Sequence, residues 1–375
     1  MRILVVDTIA VETARRSAYR ALSRIEGCEV HLLVPAAWQE QGSVTCAEPE
    51  PDPQLHLHIS KTFFGFRQHR VLFASLRRTL RELRPDVLYA DMEPENYAAA
   101  QCRLAVDAVS PRTRFALVSS RNLDYLSIGF PYKFVSSHRW CDALVRRRPA
   151  DIIFVRPRST MHMLKQYARS VVHLPHPVDC SLFSQEVLPT FPPDSGTFTV
   201  GYVGRLAESK GVHLLLRSLV RLPGNVRALV VGQGPMRKNL GVLADRLGVA
   251  GRVRFLPAVP YAEVPGIIRS MNALVLPSMP TSHWVEQFGR ILIESMACGI
   301  PVVASKSGEI PEVLGGGGML VAPGDEPDLV RAIEGLLNNP VQCAALASAG
   351  RSRALQEYSA AVVARIMYSA FTSCL

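Results

Sequence analysis

The stretch Trp284–Val313, WVEQFGRILIESMACGIPVVASKSGEIPEV, decides the fold. It reads as a short lead-in, a helix, a tight turn, a buried strand and a second turn. The helix is predicted over residues 288–297, where Ile291, Leu292, Ser295 and Met296 share one flank at apolar-stripe spacing. Gly299 supplies the left-handed stop and Pro301 follows at the usual distance. Residues 301–305 are short, apolar and β-branched, as a central parallel strand should be.

Working outward, residues 273–278 (ALVLPS) form the strand ahead of this helix. Glu286 and the amides of Gln287, Phe288 and Gly289 therefore gather at a strand's carboxyl end and a helix N-terminus. Open α/β sheets bind ligands at that place, and free amides with the helix dipole favour phosphate. A carboxylate repels phosphate, so Glu286 is expected to face sugar hydroxyls. Glu294, two turns deeper, is placed to accept hydrogen bonds from a ribose. The other reading of Glu294 is a solvated i, i+4 ion pair with Arg290, in the weaker acid-after-base order. Farther upstream, residues 199–204 (TVGYVG) start a second domain, and Arg205 and Lys210 follow. Gly204 permits close backbone approach, Arg205 offers a planar fork to a diphosphate and Lys210 a mobile point charge.

The pattern E-x-F-G-x-x-x-x-E-x-M-A-C-G-x-P-V-V-A-S from Glu286, followed by G-x-I-P-E from Gly308, resembles the signature of retaining, nucleotide-sugar-dependent GT-B glycosyltransferases of family 4 (group 1). The resemblance extends over the C-terminal half, where Arg205 and Lys210 match the family's diphosphate clamp. It implies an α/β GT-B fold of two Rossmann-like doubly wound domains facing a cleft. The first, residues 1–183, would bind acceptor, and the second, residues 198–354, the donor. A final helix within 355–375 would pack back on the first. Donor contacts would come from Gly204, Arg205, Lys210, Glu286, Gln287, Phe288, Gly289 and Glu294, with Glu286, Arg205 and Lys210 carrying catalysis. The activity implied is hexosyl transfer to a glycan or lipid-linked acceptor of polysaccharide or cell-envelope biosynthesis. Neither metal nor cofactor is called for, since the two cations replace a metal and the chain has no Asp-x-Asp. The nucleoside-diphosphate sugar is a co-substrate. The alternative from another class is a non-catalytic GT-B partner subunit that keeps the fold.

The first half is less explicit. The loop after the first strand, residues 2–7, contains no glycine; the first glycine of the chain is Gly27. A dinucleotide fingerprint needs glycines there, which argues against a nicotinamide enzyme. Arg15 and Arg16 occupy that region instead, facing either an anionic acceptor or solvent. Asp91, Glu93, Glu95 and Asn96 follow the strand at residues 86–90, and Arg121, Asn122 and Asp124 follow that at 114–119. These clusters point to acceptor contacts through Arg15, Glu93, Asn96 and Asn122. Many family members carry a histidine near Asn122 where this chain has Arg-Asn. Residues 36–60 read as loop or edge hairpin. Residues 61–84 lead through Phe63, Phe64 and Phe66 into a helix bearing Leu72, Leu76, Leu80 and Leu83, with arginines opposite.

Composition sets the outer bounds. The 375 residues suit two domains, and the formal charge of +10 suggests an anionic partner. Nothing resembles a nucleic-acid-binding module, which leaves phosphate or a lipid surface. The basic, aromatic segment 61–84 is the candidate for an anionic membrane. The N-terminus reads as a strand rather than a signal peptide. Eight scattered cysteines without metal-ligand spacing suit thiols in a reducing cytoplasm. The expected location is cytoplasmic, peripheral on the inner face of the membrane.

Overall fold

The computed structural model describes residues 1–40, 43–64, 69–122, 136–192 and 194–375. Contacts divide the chain into two units, Met1–Pro177 with Ala360–Leu375, and Val178–Ser359.

In the first unit the strands are β1 (Arg2–Val6), β2 (Glu29–Pro35), β3 (Ala37–Glu40), β4 (Ser43–Cys46), β5 (Leu55–Ser60), β6 (Thr62–Phe63), β7 (Leu72–Phe73), β8 (Val87–Ala90), β9 (Arg114–Ser119), β10 (Ala150–Val155) and β11 (Ala168–His173). Seven of them form one sheet in the order β11-β10-β9-β8-β1-β2-β5, and every pairing in it is parallel. Hydrophobic runs such as Ile3–Val6 and Ile152–Val155 are buried because a parallel sheet is covered on both faces. The strand order reverses between β1 and β8, which makes their carboxyl ends the unit's topological switch point.

The region read as loop or edge hairpin holds both the antiparallel β3–β4 hairpin and the edge strand β5. Leu72 does not join the helix expected of it; β6 and β7 form an antiparallel ribbon, and the helix is Leu76–Leu83. Phe66 and Asp124 lie outside the described residues. The segment after β10 is a 3-10 helix, Arg158–Leu164.

The second unit carries β12 (Phe198–Val203), β13 (Val226–Val231), β14 (Val253–Leu256), β15 (Ala273–Leu276), β16 (Val302–Ser305) and β17 (Met319–Val321), in the order β14-β13-β12-β15-β16-β17. This too is a doubly wound parallel sheet, with its switch point between β12 and β15. Val178 and Phe183, assigned from sequence to the end of the first domain, are buried in the second core. The Val178 amide donates to the Tyr358 carbonyl at 2.8 Å, so the chain enters and leaves this unit side by side. The final helix does not begin at Leu355. A π-helical turn, Ala354–Tyr358, and an extended Ser359 precede the helix Ala360–Cys374. That helix packs on the helix Ser17–Ser23, and Phe371 meets the rings of Phe154 and Tyr89 in the first core. Two Rossmann-like units of this kind make up the GT-B fold.

Candidate functional site

At the switch point of the second unit, the loops after β12, β15 and β16 converge because glycine lets their backbones touch. A Cβ on Gly211 would lie 1.9 Å from the Pro277 carbonyl oxygen. One on Gly308 would lie 2.0 Å from the Glu286 carbonyl oxygen, and the Glu309 amide donates to that same oxygen at 3.2 Å. The Met279 amide closes the set by donating to the Ser209 carbonyl at 2.7 Å. Gly211 and Gly308 also have positive φ, 68° and 53°, so any side chain there meets both strain and a collision.

These contacts bring Lys210 and Glu286 together. Lys210 Nζ lies 2.7 Å from Glu286 Oε2, and Ser278 Oγ donates to the same oxygen at 2.8 Å. The ammonium also sits 4.7 Å from the centroid of the Trp284 ring. Glu286 is 6% exposed and Ser278 fully buried, so the carboxylate is fixed before any ligand arrives. A half-buried lysine on a four-carbon stem keeps freedom to turn toward a phosphate. Arg205 is exposed and, among the described residues, makes no ion pair. Its carbonyl accepts from the Tyr202 hydroxyl at 2.8 Å, which anchors the backbone and leaves the guanidinium at the surface. Burial and then the nearby Glu286 push the Tyr202 phenol up, so it stays a donor. The neighbouring turn locks the loop further. A Cβ on Gly232 would lie 1.9 Å from the Gly204 carbonyl oxygen, and the Leu206 amide donates to the Gln233 carbonyl at 2.8 Å.

The helix after β15 runs Arg290–Ala297 and begins two residues later than expected. Gly289 takes the left-handed conformation, φ 75°, which ends the extended run before the first turn. The Phe288 side chain is buried in the core, edge-on to Tyr358. Glu294 is 6% exposed, so a solvated ion pair does not describe it. Its Oε1 accepts from the Tyr261 hydroxyl at 3.0 Å and lies 3.7 Å from the Arg290 guanidinium. Ser278, Trp284 and Tyr261 were missed from sequence. The signal for Ser278 was its place closing the ALVLPS run; Tyr261 gave none.

In the first unit Glu93 and Asn96 stay together, the Asn96 amide donating to the Glu93 carbonyl at 3.0 Å. Arg15 pairs with Glu12 at 2.8 Å. Arg16, expected in solution or on a ligand, is instead fully buried and donates to the carbonyls of Ala10, Val11 and Glu48. Glu93 accepts from Ser119 Oγ and the Ser120 amide, each at 2.6 Å, and burial with the Glu95 charge pushes it up to about 7. Asn96 Oδ1 meets His69 Nδ1 at 2.8 Å, while Asn122 lies half-buried beyond β9. The Arg121 guanidinium is tied to Glu95, Asp142 and the Tyr167 hydroxyl.

The switch point of this unit holds a second set, of which the sequence pointed to Asp91 alone. Asp7 Oδ2 and Asp91 Oδ2 both accept from the Tyr19 hydroxyl, at 2.7 and 3.1 Å. The Tyr89 hydroxyl and Arg156 also reach Asp91, at 2.9 and 3.0 Å. Burial, then the Asp91 charge, pushes Asp7 up to about 7. The native state thus keeps a proton that the unfolded chain releases near an ordinary value of about 3.9, and stability falls as pH rises between those values. Asp7→Asn should flatten part of that fall. The check is the urea midpoint measured from about pH 5 to 8; parallel wild-type and variant profiles would mean that Asp7 is already ionised in the fold.

With the geometry in place, comparison with known proteins identifies the second unit. Residues 185–353 match the family "Glycosyl transferases group 1". They form a group 1 glycosyltransferase domain. The group 1 domain thus contains Arg205, Lys210, Glu286 and Glu294. Among curated relatives, D-inositol 3-phosphate glycosyltransferase of Mycobacterium marinum is 36% identical over 169 residues, 43% of this chain and 34% of the relative. The enzyme of that name from Corynebacterium jeikeium is 35% identical over 149 residues, 36% of this chain and 34% of the relative. The matched stretch spans about a third of these relatives' length. Sucrose-phosphate synthase from Thermosynechococcus elongatus superposes with a TM-score of 0.74 at 17% identity, covering 100% of this chain and 98% of that one. Anabaena HepE in complex with UDP gives 0.72 at 21% identity, covering 100% of both. At such identities the structural likeness speaks for the fold.

Proposed function

We propose that this protein is a retaining glycosyltransferase. It moves a hexose from a nucleoside-diphosphate sugar to a glycan or lipid-linked acceptor of polysaccharide or cell-envelope biosynthesis. The observation that carries this reading is the Lys210–Glu286 pair at the switch point of a group 1 domain. A fixed carboxylate suits sugar hydroxyls, and a mobile ammonium beside it suits the phosphate that departs. As the sugar–oxygen bond breaks, negative charge grows on the β-phosphate. Arg205 and Lys210 stabilise it there, in the role that a metal plays elsewhere. Glu294, braced by Tyr261, accepts from the ribose. The complex of Anabaena HepE with UDP supports a nucleotide of this kind. The test incubates the protein with UDP-, GDP- and ADP-sugars, follows release of the diphosphate, and determines the product's anomeric configuration by NMR. Inversion would overturn the retaining assignment. Binding without turnover for every donor and acceptor would favour the non-catalytic partner subunit.

The proposed location is the cytoplasm, on the inner face of the membrane. Among the described residues no helix is long and apolar enough to cross one. Phe63 on β6 and Phe64 just after it are 62% and 59% exposed, and Arg77, Arg78 and Arg81 on the helix that follows, with Arg84 capping it, are exposed. Rings that enter the interface beside arginines that meet lipid phosphate describe a peripheral contact. The protein should float with anionic but not neutral liposomes, less so in high salt, and less again with Arg77, Arg78 and Arg81 reversed to glutamate. Equal flotation with both lipids, or none, would remove the membrane from this reading.

A further inference from the structure

The edge of the first sheet concentrates side chains that nothing above uses. β2 and β5 pair in parallel with His31 directly opposite His56 and Leu33 opposite His58. Alternate residues of a strand share a face, so Glu29, His31, His56 and His58 come out on one side of the sheet. The rings of His31 and His56 stack at 4.8 Å between centroids, and those of His31 and His58 lie 5.2 Å apart. His31 Nε2 is 2.9 Å from Glu29 Oε1, and His31 Nδ1 is 2.9 Å from His58 Nε2. One ligand atom from each of Glu29, His31 and His56 lies within 4.8 Å of the other two. Imidazoles in a row build little core, and they repel one another when protonated. Their convergence on a carboxylate is better explained by a shared cation.

We propose that Glu29, His31 and His56 bind a divalent transition cation of the zinc class, with His58 positioning His31. Zinc takes imidazole nitrogen and carboxylate oxygen at about 2.0–2.2 Å in a tetrahedral set, which places neighbouring ligand atoms about 3.4 Å apart. The contraction this needs is available from His56, whose side chain is exposed. His31 would give its Nε2 lone pair to the metal while its Nδ1–H donates to His58. That hydrogen bond selects the tautomer and fixes the ring, as outer partners of metal-bound histidines do. Arg2 Nε donates to the other carboxylate oxygen, Glu29 Oε2, at 2.8 Å, which leaves Oε1 for the metal. The positive charge of Arg2 weakens the site and sets the expected affinity in the micromolar range. Imidazole and carboxylate together select zinc, nickel or copper over magnesium and calcium. A bound cation joins β5 to β2 and so steadies a strand that, among the described residues, has a neighbour on one side alone. The signal escaped sequence reading because each strand offers only an i, i+2 pair; the parallel register completes the set.

The proposal is independent of the transferase reading and is tested on binding and stability. The untagged full chain is stripped with chelator, then titrated with zinc by calorimetry and with cobalt by visible absorption. The expected result is one equivalent bound with micromolar affinity, a cobalt spectrum without thiolate charge-transfer bands, and a zinc-dependent rise in Tm. His56→Ala should weaken zinc binding by at least about tenfold with metal-free Tm unchanged, and His58→Ala by about 10–100-fold. No saturable zinc binding below millimolar would overturn the site. So would binding that His56→Ala leaves untouched, a thiolate band, or an equal response to magnesium.

Discussion

Lys210→Ala and Arg205→Ala should each lower kcat by about 10²–10³ while the fold and part of the nucleotide affinity remain. Both cations are assigned to charge that grows on the leaving β-phosphate. An interaction that strengthens only in the transition state lowers kcat when it is removed, whereas one present throughout mainly raises KM. The two positions differ in what they leave behind. Arg205 is exposed and, among the described residues, makes no ion pair, so its loss disturbs nothing in the free protein. Lys210 neutralises the buried Glu286 at 2.7 Å, and truncating it strands a carboxylate that, among the described residues, Ser278 alone continues to serve. Lys210→Ala should therefore also lower Tm, and Lys210→Gln, which keeps a donor without the charge, should recover stability but little turnover. Chelator should leave wild-type kcat intact, even where it lowers Tm by emptying a site on the β2–β5 edge. Near-normal kcat in either alanine variant, or transfer abolished by EDTA in a protein that stays folded, would sink the clamp.

The second large effect is on donor affinity. Glu294→Ala should weaken binding of the nucleoside diphosphate by about 1.5–3 kcal/mol, the range for a hydrogen bond to a charged group. Glu294 is buried, and both of its described partners meet Oε1, from Tyr261 at 3.0 Å and Arg290 at 3.7 Å. Tyr261→Phe removes one brace and leaves the carboxylate, so its cost should be smaller and fall on the same constant. Calorimetric titration with the nucleoside diphosphate reads both. If Glu294→Ala binds as wild type does, the carboxylate serves the Tyr261–Arg290 contact alone.

How much of this was legible beforehand depends on the distance over which each feature is decided. The apolar strands β1, β12, β15 and β16, the Gly299 stop and the Glu286–Glu294 spacing are local. Backbone sterics and burial period act within a few residues, so the two α/β units could be read directly. The late start of the helix at Arg290 is local as well, since Gly289 with its positive φ delays the first turn. Other features needed the assembled chain. Lys210 and Glu286 meet across 76 residues because β12 and β15 become neighbours at the switch point and Gly211 and Gly308 let their loops touch. Arg16 is a helix arginine by sequence, yet four carbonyls and the Glu50 carboxylate enclose it. Asp7 keeps its proton only because burial and Asp91 act on it together. Glu29 and His31 lie on one strand, His56 and His58 on another, and the parallel register alone sets them on one face. Sequence determined the elements and the family signature, since both rest on short-range spacing. Tertiary structure decided which charges meet and which are buried, because partners across a parallel sheet follow from strand order and register, which local spacing does not encode.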